Sequence, residues 1–268
     1  MEKQAVKKKR RKKRASHFLF LYIALGLATV ITLTVLSLTV FFHIDTVKVA
    51  GDSMYSSEQI ITASQIKKDV NIFTADLSSV NDNICKALPY IESVKINRVF
   101  PTTIKLTVTK AEKYVQVENG GKYTVINKSG KCLEISDVPV KGIPVLRGIS
   151  LTSNVPGVRV TFKDTDCIEP LNSITDLLDK NEIKNTTVIN LKDLQDVFVT
   201  VDNRVVLKLG STGNLDKKLQ HAALTLEKQQ GSKKTGILNL SRIPNDKHQA
   251  YFTSCDLLAE QIADVIKK

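Results

Sequence analysis

Hydrophobic positions fall into three regimes along the chain: one unbroken apolar run, a region mixing alternating and helical stripes, and a longer region dominated by short alternating runs. Residues 18–42 are 25 positions without a charge. As a helix rising ~1.5 Å per residue, such a run exceeds a ~30 Å hydrocarbon core, so it is read as a membrane span. It ends Val40-Phe41-Phe42-His43, without the small residues that precede a signal-peptide cut, so an uncleaved anchor is expected. Thr29, Thr32, Thr34, Ser37 and Thr39 within it either line a helix contact or bond to carbonyls of their own helix.

Period-two alternation begins at Ile44-Asp45-Thr46-Val47-Lys48-Val49, and Gly51-Asp52-Ser53 ends that strand. Ser56 stands three residues before Gln59, the order of a capping box, and opens a short helix carrying Ile60, Ile61 and Ile66. Asp76 is the expected N-cap of a second helix with Leu77, Val80, Ile84 and Leu88 on one face, stopped by Pro89. Alternating runs over 91–99 and 104–108 flank Phe100-Pro101-Thr102, giving the order β-α-α-β-β. Short strands are expected over 114–117, 122–126 and 132–135, with turns at Gly120-Gly121 and Lys128-Ser129-Gly130. A helical stripe follows at Ile168, Leu171, Ile174, Leu177 and Leu178. Next come a hairpin turning at Asp202-Asn203-Arg204, a helix capped by Asn214, and a strand over 237–240. Gln249-Ala250-Tyr251-Phe252-Thr253 reads as one further strand, ahead of an amphipathic stripe of Leu257, Leu258, Ile262 and Val265. The fold class expected is α+β: one transmembrane helix, a βααββ domain and a mixed, β-rich second domain.

Charge is segregated. Of a net +12, residues 1–14 supply +8, leaving the other 254 residues nearly balanced. A folded nucleic-acid-binding face needs its basic residues clustered on the fold, so nucleic acid is not an expected partner. Lys7-Lys8-Lys9-Arg10-Arg11-Lys12-Lys13-Arg14 instead flanks the span directly. The positive-inside rule then puts the N-terminus in the cytoplasm and the 226 residues after Phe42 outside, with the basic run against anionic lipid headgroups.

Candidate chemistry is sparse. Cys85, Cys132, Cys167 and Cys255 form no Cys-x-x-Cys and no zinc-like cluster; they are buried small hydrophobes or members of disulfides in any of three connectivities. Gly210-Ser211-Thr212-Gly213 lacks the Lys-Ser/Thr of a P-loop and the third glycine of a dinucleotide fingerprint, so it reads as a turn. No catalytic, metal or cofactor site is expected. Asp164/Asp166 and Asp193/Asp196 are carboxylate pairs of the kind general acid–base chemistry uses, and they read as surface charge. The alternative function is a membrane-anchored cell-wall enzyme such as a cysteine transpeptidase, with Cys255 as nucleophile and His221 or His248 as base.

Several of these segments resemble a known module. Val47-Lys48-Val49-Ala50-Gly51, the helix start at Ser56, and Leu88-Pro89-Tyr90-Ile91-Glu92-Ser93-Val94-Lys95-Ile96-Asn97-Arg98-Val99-Phe100-Pro101 followed by Thr103-Ile104-Lys105-Leu106 look like a POTRA domain. Placed straight after a basic-flanked span, the module resembles the FtsQ/DivIB family of bacterial cell-division proteins. Gly121-Lys122-Tyr123-Thr124-Val125-Ile126-Asn127 and Ile143-Pro144-Val145-Leu146-Arg147-Gly148 are similar to the opening of that family's β domain. Where the family usually carries a Glu-Arg-x-Pro type motif, this chain reads Lys110-Ala111-Glu112-Lys113-Tyr114. The resemblance implies a cytoplasmic tail over 1–17, a span over 18–42, a POTRA domain over 43–112, a β domain over 113–253 and a tail or helix over 254–268. Gly51 and Pro101 are its most diagnostic fold residues.

It further implies a non-enzymatic, single-pass protein at the division septum that scaffolds and stabilises the division complex. The implied partners are small single-pass coiled-coil division proteins of the FtsL and FtsB/DivIC type, other septal membrane proteins and membrane lipid. The last strand, Gln249 to Thr253, is expected at a sheet edge, where unpaired backbone groups invite a partner strand. Alternation sends Tyr251 and Phe252 to opposite faces, one to the core and one to the interface.

Overall fold

The computed structural model describes residues 3–163, 167–228, 235–242 and 251–254, with side chains from Phe18 onward except those of Tyr251 and Ser254. Its residues group into two compact units, one of 1–51, 56–81 and 94–108, the other of 52–55, 82–93 and 109–268.

The first unit opens with α1 (Lys3–Phe41). Within it Phe18–Phe41 is long and apolar enough to cross a membrane, and none of it is buried against protein. Its threonines bond backward to their own helix: Thr29 to Leu25 O at 2.9 Å, Thr32 to Ala28 O at 2.8 Å, Thr34 to Val30 O at 2.8 Å and Thr39 to Val35 O at 3.0 Å. Hydroxyls so satisfied cost little in hydrocarbon, and of the two expected readings they fit the internal one. The basic residues 7–14 lie in the same helix; their side chains are outside the described part.

After β1 (Thr46–Gly51) comes α2 (Ser57–Ser64), which opens with the expected box: Ser56 Oγ accepts from Gln59 N at 3.2 Å, and Gln59 Oε1 accepts from Ser56 N at 2.9 Å. Asp76 does not cap the next helix, α3 (Val80–Ala87). Its Oδ1 accepts from Ser78 N at 2.9 Å and Ser78 Oγ at 2.7 Å, closing a local turn, and the helix starts only at Val80. Short-range side-chain bonds of this kind compete with helix and here win. The strands β2 (Ile91–Val99) and β3 (Thr103–Lys110) complete a three-stranded sheet of order β1-β3-β2. β1 runs parallel to β3 with Thr46 opposite Thr103 and Gly51 opposite Val108. The inward side chains Ile104, Leu106 and Val108 are buried, as are Ile44, Ile60 and Ile72. The peptide between Phe100 and Pro101 is cis.

In the second unit the strands are β4 (Val115–Asn119), β5 (Lys122–Ile126), β6 (Cys132–Ser136), β7 (Val145–Arg147), β8 (Leu151–Ser153) and β9 (Thr161–Phe162). They are followed by α4 (Ile168–Lys180), β10 (Thr186–Asn190), β11 (Val197–Val201), β12 (Val205–Gly210), α5 (Leu215–Lys228), β13 (Gly236–Asn239) and β14 (Tyr251–Ser254). Nine of these strands form one sheet, β14-β13-β12-β11-β10-β7-β4-β5-β6, and β8 pairs with β9 separately. The hairpin of β11 and β12 turns on Asp202 and Asn203, both left-handed at φ 56° and 53°, the primed geometry whose twist matches the strands. Alternate residues Val197, Val199 and Val201, Val205, Leu207 and Leu209, and Leu238 are buried in one core. Ile168, Leu171, Ile174 and Leu178 of α4 and Leu215, Leu219 and Ala222 of α5 join them there. A smaller cluster of Ala111, Val125 and Leu133 gathers Tyr90, Val140 and Ile143.

Gly51 ends β1 with φ +107°, and a Cβ there would lie 2.1 Å from the Val108 carbonyl oxygen. Both the backbone conformation and the close approach to β3 therefore exclude a side chain. Gly51→Ala is expected to lower stability by about 2 kcal/mol or more, read by urea unfolding of the detergent-solubilised chain. A loss under about 0.5 kcal/mol, the range of an ordinary surface substitution, would contradict this account of the β1–β3 contact.

Candidate functional site

The sheet edge at β14 is built from its neighbours inward. β12 and β13 run parallel, from Val205 opposite Gly236 to Lys208 opposite Asn239, so β13 is laid down by the return of the chain through α5. β14 then pairs antiparallel with β13, Leu238 opposite Phe252 and Asn239 opposite Tyr251. Among the described residues β14 is the last strand on this side of the sheet. One of its two hydrogen-bonding edges is thus taken by β13, and the other is where an added strand would align.

Phe252 is the strand's inward residue: it is half-buried and packs on the main core beside α5 and β12. Thr253 is exposed. Gln249, Ala250 and the side chain of Tyr251 lie outside the described residues, as do Cys255, His248 and the expected stripe from Leu257 to Val265. Room for the Phe252 ring is made by Gly236, where a Cβ would come within 2.6 Å of the ring's Cζ and 2.5 Å of Thr253 O. On the opposite face of the same strands, Val206 is buried between Phe198 and Ile237, and Lys208 Nζ sits 5.2 Å over the Phe198 ring.

Of the positions weighed for catalysis, Cys255, His248, Asp164 and Asp166 lie outside the described residues, while His221, Asp193 and Asp196 are within them. Cys85, Cys132 and Cys167 are in no disulfide among the described residues. Burial pushes the Cys132 thiol up to about 11. Burial also raises Cys85, with Lys131 opposing and Glu92 and Asp82 reinforcing. An activated nucleophile needs the reverse shift. Asp196 pairs with Lys208 at 3.3 Å, and Asp193 Oδ1 accepts from Gln195 N at 2.8 Å, which makes the pair part of a turn. Asp164 and Asp166 lie outside the described residues. The glycine-bearing segment 210–213 is a turn whose Ser211 carbonyl accepts from Lys218 Nζ at 2.8 Å. His221 is exposed on α5. Among the described residues no group of three His, Cys, Asp or Glu is placed to hold a metal ion.

The segment after β3 replaces sequence-level identity with contacts. Ala111 is buried and its N–H donates to Tyr90 O at 2.8 Å. Lys113 Nζ lies 2.6 Å from Glu134 Oε1 and 5.7 Å from the Tyr90 ring centre. Burial and the Glu134 carboxylate raise the Tyr90 phenol well above its ordinary range. For Glu134, burial acts upward but the bonds from Lys113 and Tyr90 outweigh it and hold the carboxyl low. Neither Lys131 nor Lys218 was singled out as a buried group from the sequence. Lys131 Nζ donates to Ile91 O at 2.5 Å, and burial lowers the basicity of both amines.

Comparison with known proteins adds identity to this geometry. Residues 42–110 match the family model of the POTRA domain, FtsQ-type. The chain is 29% identical over 202 residues to the cell division protein DivIB of Clostridium acetobutylicum, covering 75% of this chain and 80% of that one. It is 28% identical to DivIB of Clostridium botulinum over 244 residues, 88% of this chain and 91% of that one. The cell division protein FtsQ of Corynebacterium glutamicum is 27% identical over 189 residues, 70% of this chain and 79% of the relative.

Three outcomes test this picture of the second unit, one at the β14 edge and two at Cys132 in β6. Gly236→Ala is expected to lift Phe252 off the core and speed amide hydrogen exchange at residues 251–254 at least tenfold while α5 keeps its protection; unchanged exchange at β14 would refute the seating of Phe252 against Gly236. The native Cys132 thiol, at about 11 against an ordinary 9.0, is expected to alkylate about a hundredfold more slowly at pH 8 than in the urea-unfolded chain. Because the folded state holds this proton more tightly, the Cys132 contribution to stability is fully present below pH 9 and is lost as pH rises toward 11. The stability difference between the native chain and Cys132→Ala should shrink over that window, and a difference that grows would overturn the sign.

Proposed function

Because the chain belongs to the FtsQ/DivIB family of bacterial cell-division proteins, we propose that its work is to hold the division complex together at the septum by protein contacts, without turning over a substrate. The observation that carries this is the likeness to DivIB over 88% of the chain and 91% of the relative, which reaches well beyond the POTRA module of residues 42–110. The apolar helix anchors the protein in the membrane, the basic residues 7–14 keep its N-terminus cytoplasmic, and the remaining domains stand outside.

Two surfaces divide the labour. The POTRA region, residues 43–112, recruits the protein to the septum. The β14 edge, with Gln249, Ala250, Tyr251, Phe252 and Thr253, receives a strand from a small single-pass coiled-coil division protein of the FtsL or FtsB/DivIC type. In support, β14 ends its sheet among the described residues and Phe252 is its core-facing anchor. The likeness to cell division proteins over most of the chain favours a scaffold over the cell-wall enzyme, and Asp193, one of the carboxylates weighed for acid–base chemistry, is bound into a turn.

Depleting the protein from growing cells is expected to give filaments or chains of cells with unsplit septa, and re-expression of the full chain restores division. Normal septation accompanied by an altered wall composition would sink the scaffold reading and favour an enzyme.

A further inference from the structure

Where the apolar helix ends, the first unit gathers three phenylalanines outside its core. Phe42, the residue after α1, lies with its ring centre 5.2 Å from that of Phe73, and Phe73 stacks on Phe100 at 4.9 Å. Phe42 and Phe100 meet edge-on at 6.3 Å. Despite these contacts Phe73 stays 49% exposed and Phe100 52% exposed. Three clustered rings, two of them about half exposed, form an apolar patch that calls for cover.

The patch is rigidly keyed to the helix end. Asn71 Nδ2 donates to Leu38 O at 2.9 Å, a carbonyl of the last turn of α1, and Asn71 Oδ1 accepts from Phe73 N at 2.9 Å. Ile72 N donates to Phe42 O at 2.8 Å and Ile44 N to Val70 O at 2.9 Å. Arg98 closes the loop from the other side, donating from Nε to Ile72 O at 2.8 Å and from Nη2 to Ala75 O at 2.9 Å. Phe73 is therefore fixed at the level of the last helical turn, within ~6 Å of Leu38 to Phe42 along the axis.

Length then decides what covers the patch. The 24 residues of Phe18–Phe41 span ~36 Å as a helix, against a hydrocarbon core of ~30 Å. The surplus puts the last turn, and the rings tied to it, at the boundary between acyl chains and headgroups, where amphipathic and aromatic side chains concentrate. Val40 and Phe41 of the helix are exposed, as are Phe73, Phe100 and Val99. The loop bearing Phe73 also exposes Lys67 and Lys68 beside a single acid, Asp69.

The geometry points to a lipid-binding foot: Phe42, Phe73 and Phe100 insert into the membrane interface beside the span and hold the β1–β3 sheet at a fixed attitude to the bilayer. This rests on the reading of α1 as a membrane anchor. The foot turns a single flexible tether into a two-point attachment, so the tilt of the first unit is set by the chain itself before any protein partner binds.

The chain contains no tryptophan, so Phe73→Trp and Phe100→Trp each introduce a unique fluorescent reporter at the foot. Each variant of the full chain is placed in nanodiscs of phosphatidylethanolamine and phosphatidylglycerol, with and without bromine at acyl carbons 6 and 7. A loss of one third or more of the indole emission in the brominated lipid, for either variant, is the expected result. A smaller loss in both, with the chain still incorporated, overturns the foot and leaves the rings open to a protein partner instead. Failure of the native chain to enter the nanodiscs overturns the anchor itself, and is read separately by co-purification with the lipid.

Discussion

Hydrogen bonding through one three-residue strand keeps the nine-stranded sheet in one piece. β7 runs parallel to β4 on one side, Val145 beside Gln116 and Leu146 beside Val117, and parallel to β10 on the other, from Val188 to Asn190. Remove it and the sheet becomes two smaller ones, each with a raw edge of unpaired amides. Its approach is secured by one side chain. Gln116, 1% exposed, donates from Nε2 to Val140 O at 2.8 Å and Ile143 O at 3.1 Å, and accepts at Oε1 from Val140 N at 2.8 Å. An amide that both gives and takes can hold an irregular loop as a strand would, and an apolar residue of the same size cannot.

The same logic of satisfaction by nearby groups recurs at several polar side chains among the described residues. Lys131 and Lys218 each donate an ammonium proton to a backbone carbonyl, so two lysines inside the second unit fasten the main chain. Asn127 accepts from Lys131 N at 2.7 Å and Ser129 Oγ at 2.9 Å and donates to Glu92, pinning the turn between β5 and β6. In the apolar helix the threonines do likewise with their own carbonyls.

What the sequence made legible follows period and punctuation. The span, the capping box at Ser56, the Asp202-Asn203 turn and the stripes of α4 and α5 all carry a local signal strong enough to survive tertiary context, and they stand within a residue or two of expectation. The strands β7 and β10 escaped notice as strands. They are short, they sit in the middle of the sheet, and their partners lie far off in sequence, so neither alternation nor a turn announces them. Asp76 misled because an Asx turn and an N-cap use the same residue type. At the candidate edge a strand through Tyr251 and Phe252 was legible, but the contribution of Gly236 was not, since its reason is a ring arriving from another strand.

The β14 edge also imposes an order in time. A ribosome emits the chain from the N-terminus, so β12, α5 and β13 exist before Tyr251–Ser254 has been made. Until then β13 is the outermost strand and Gly236 faces an empty slot where Phe252 will lie. The edge that β14 presents is thus available only after residues up to Ser254 have been made.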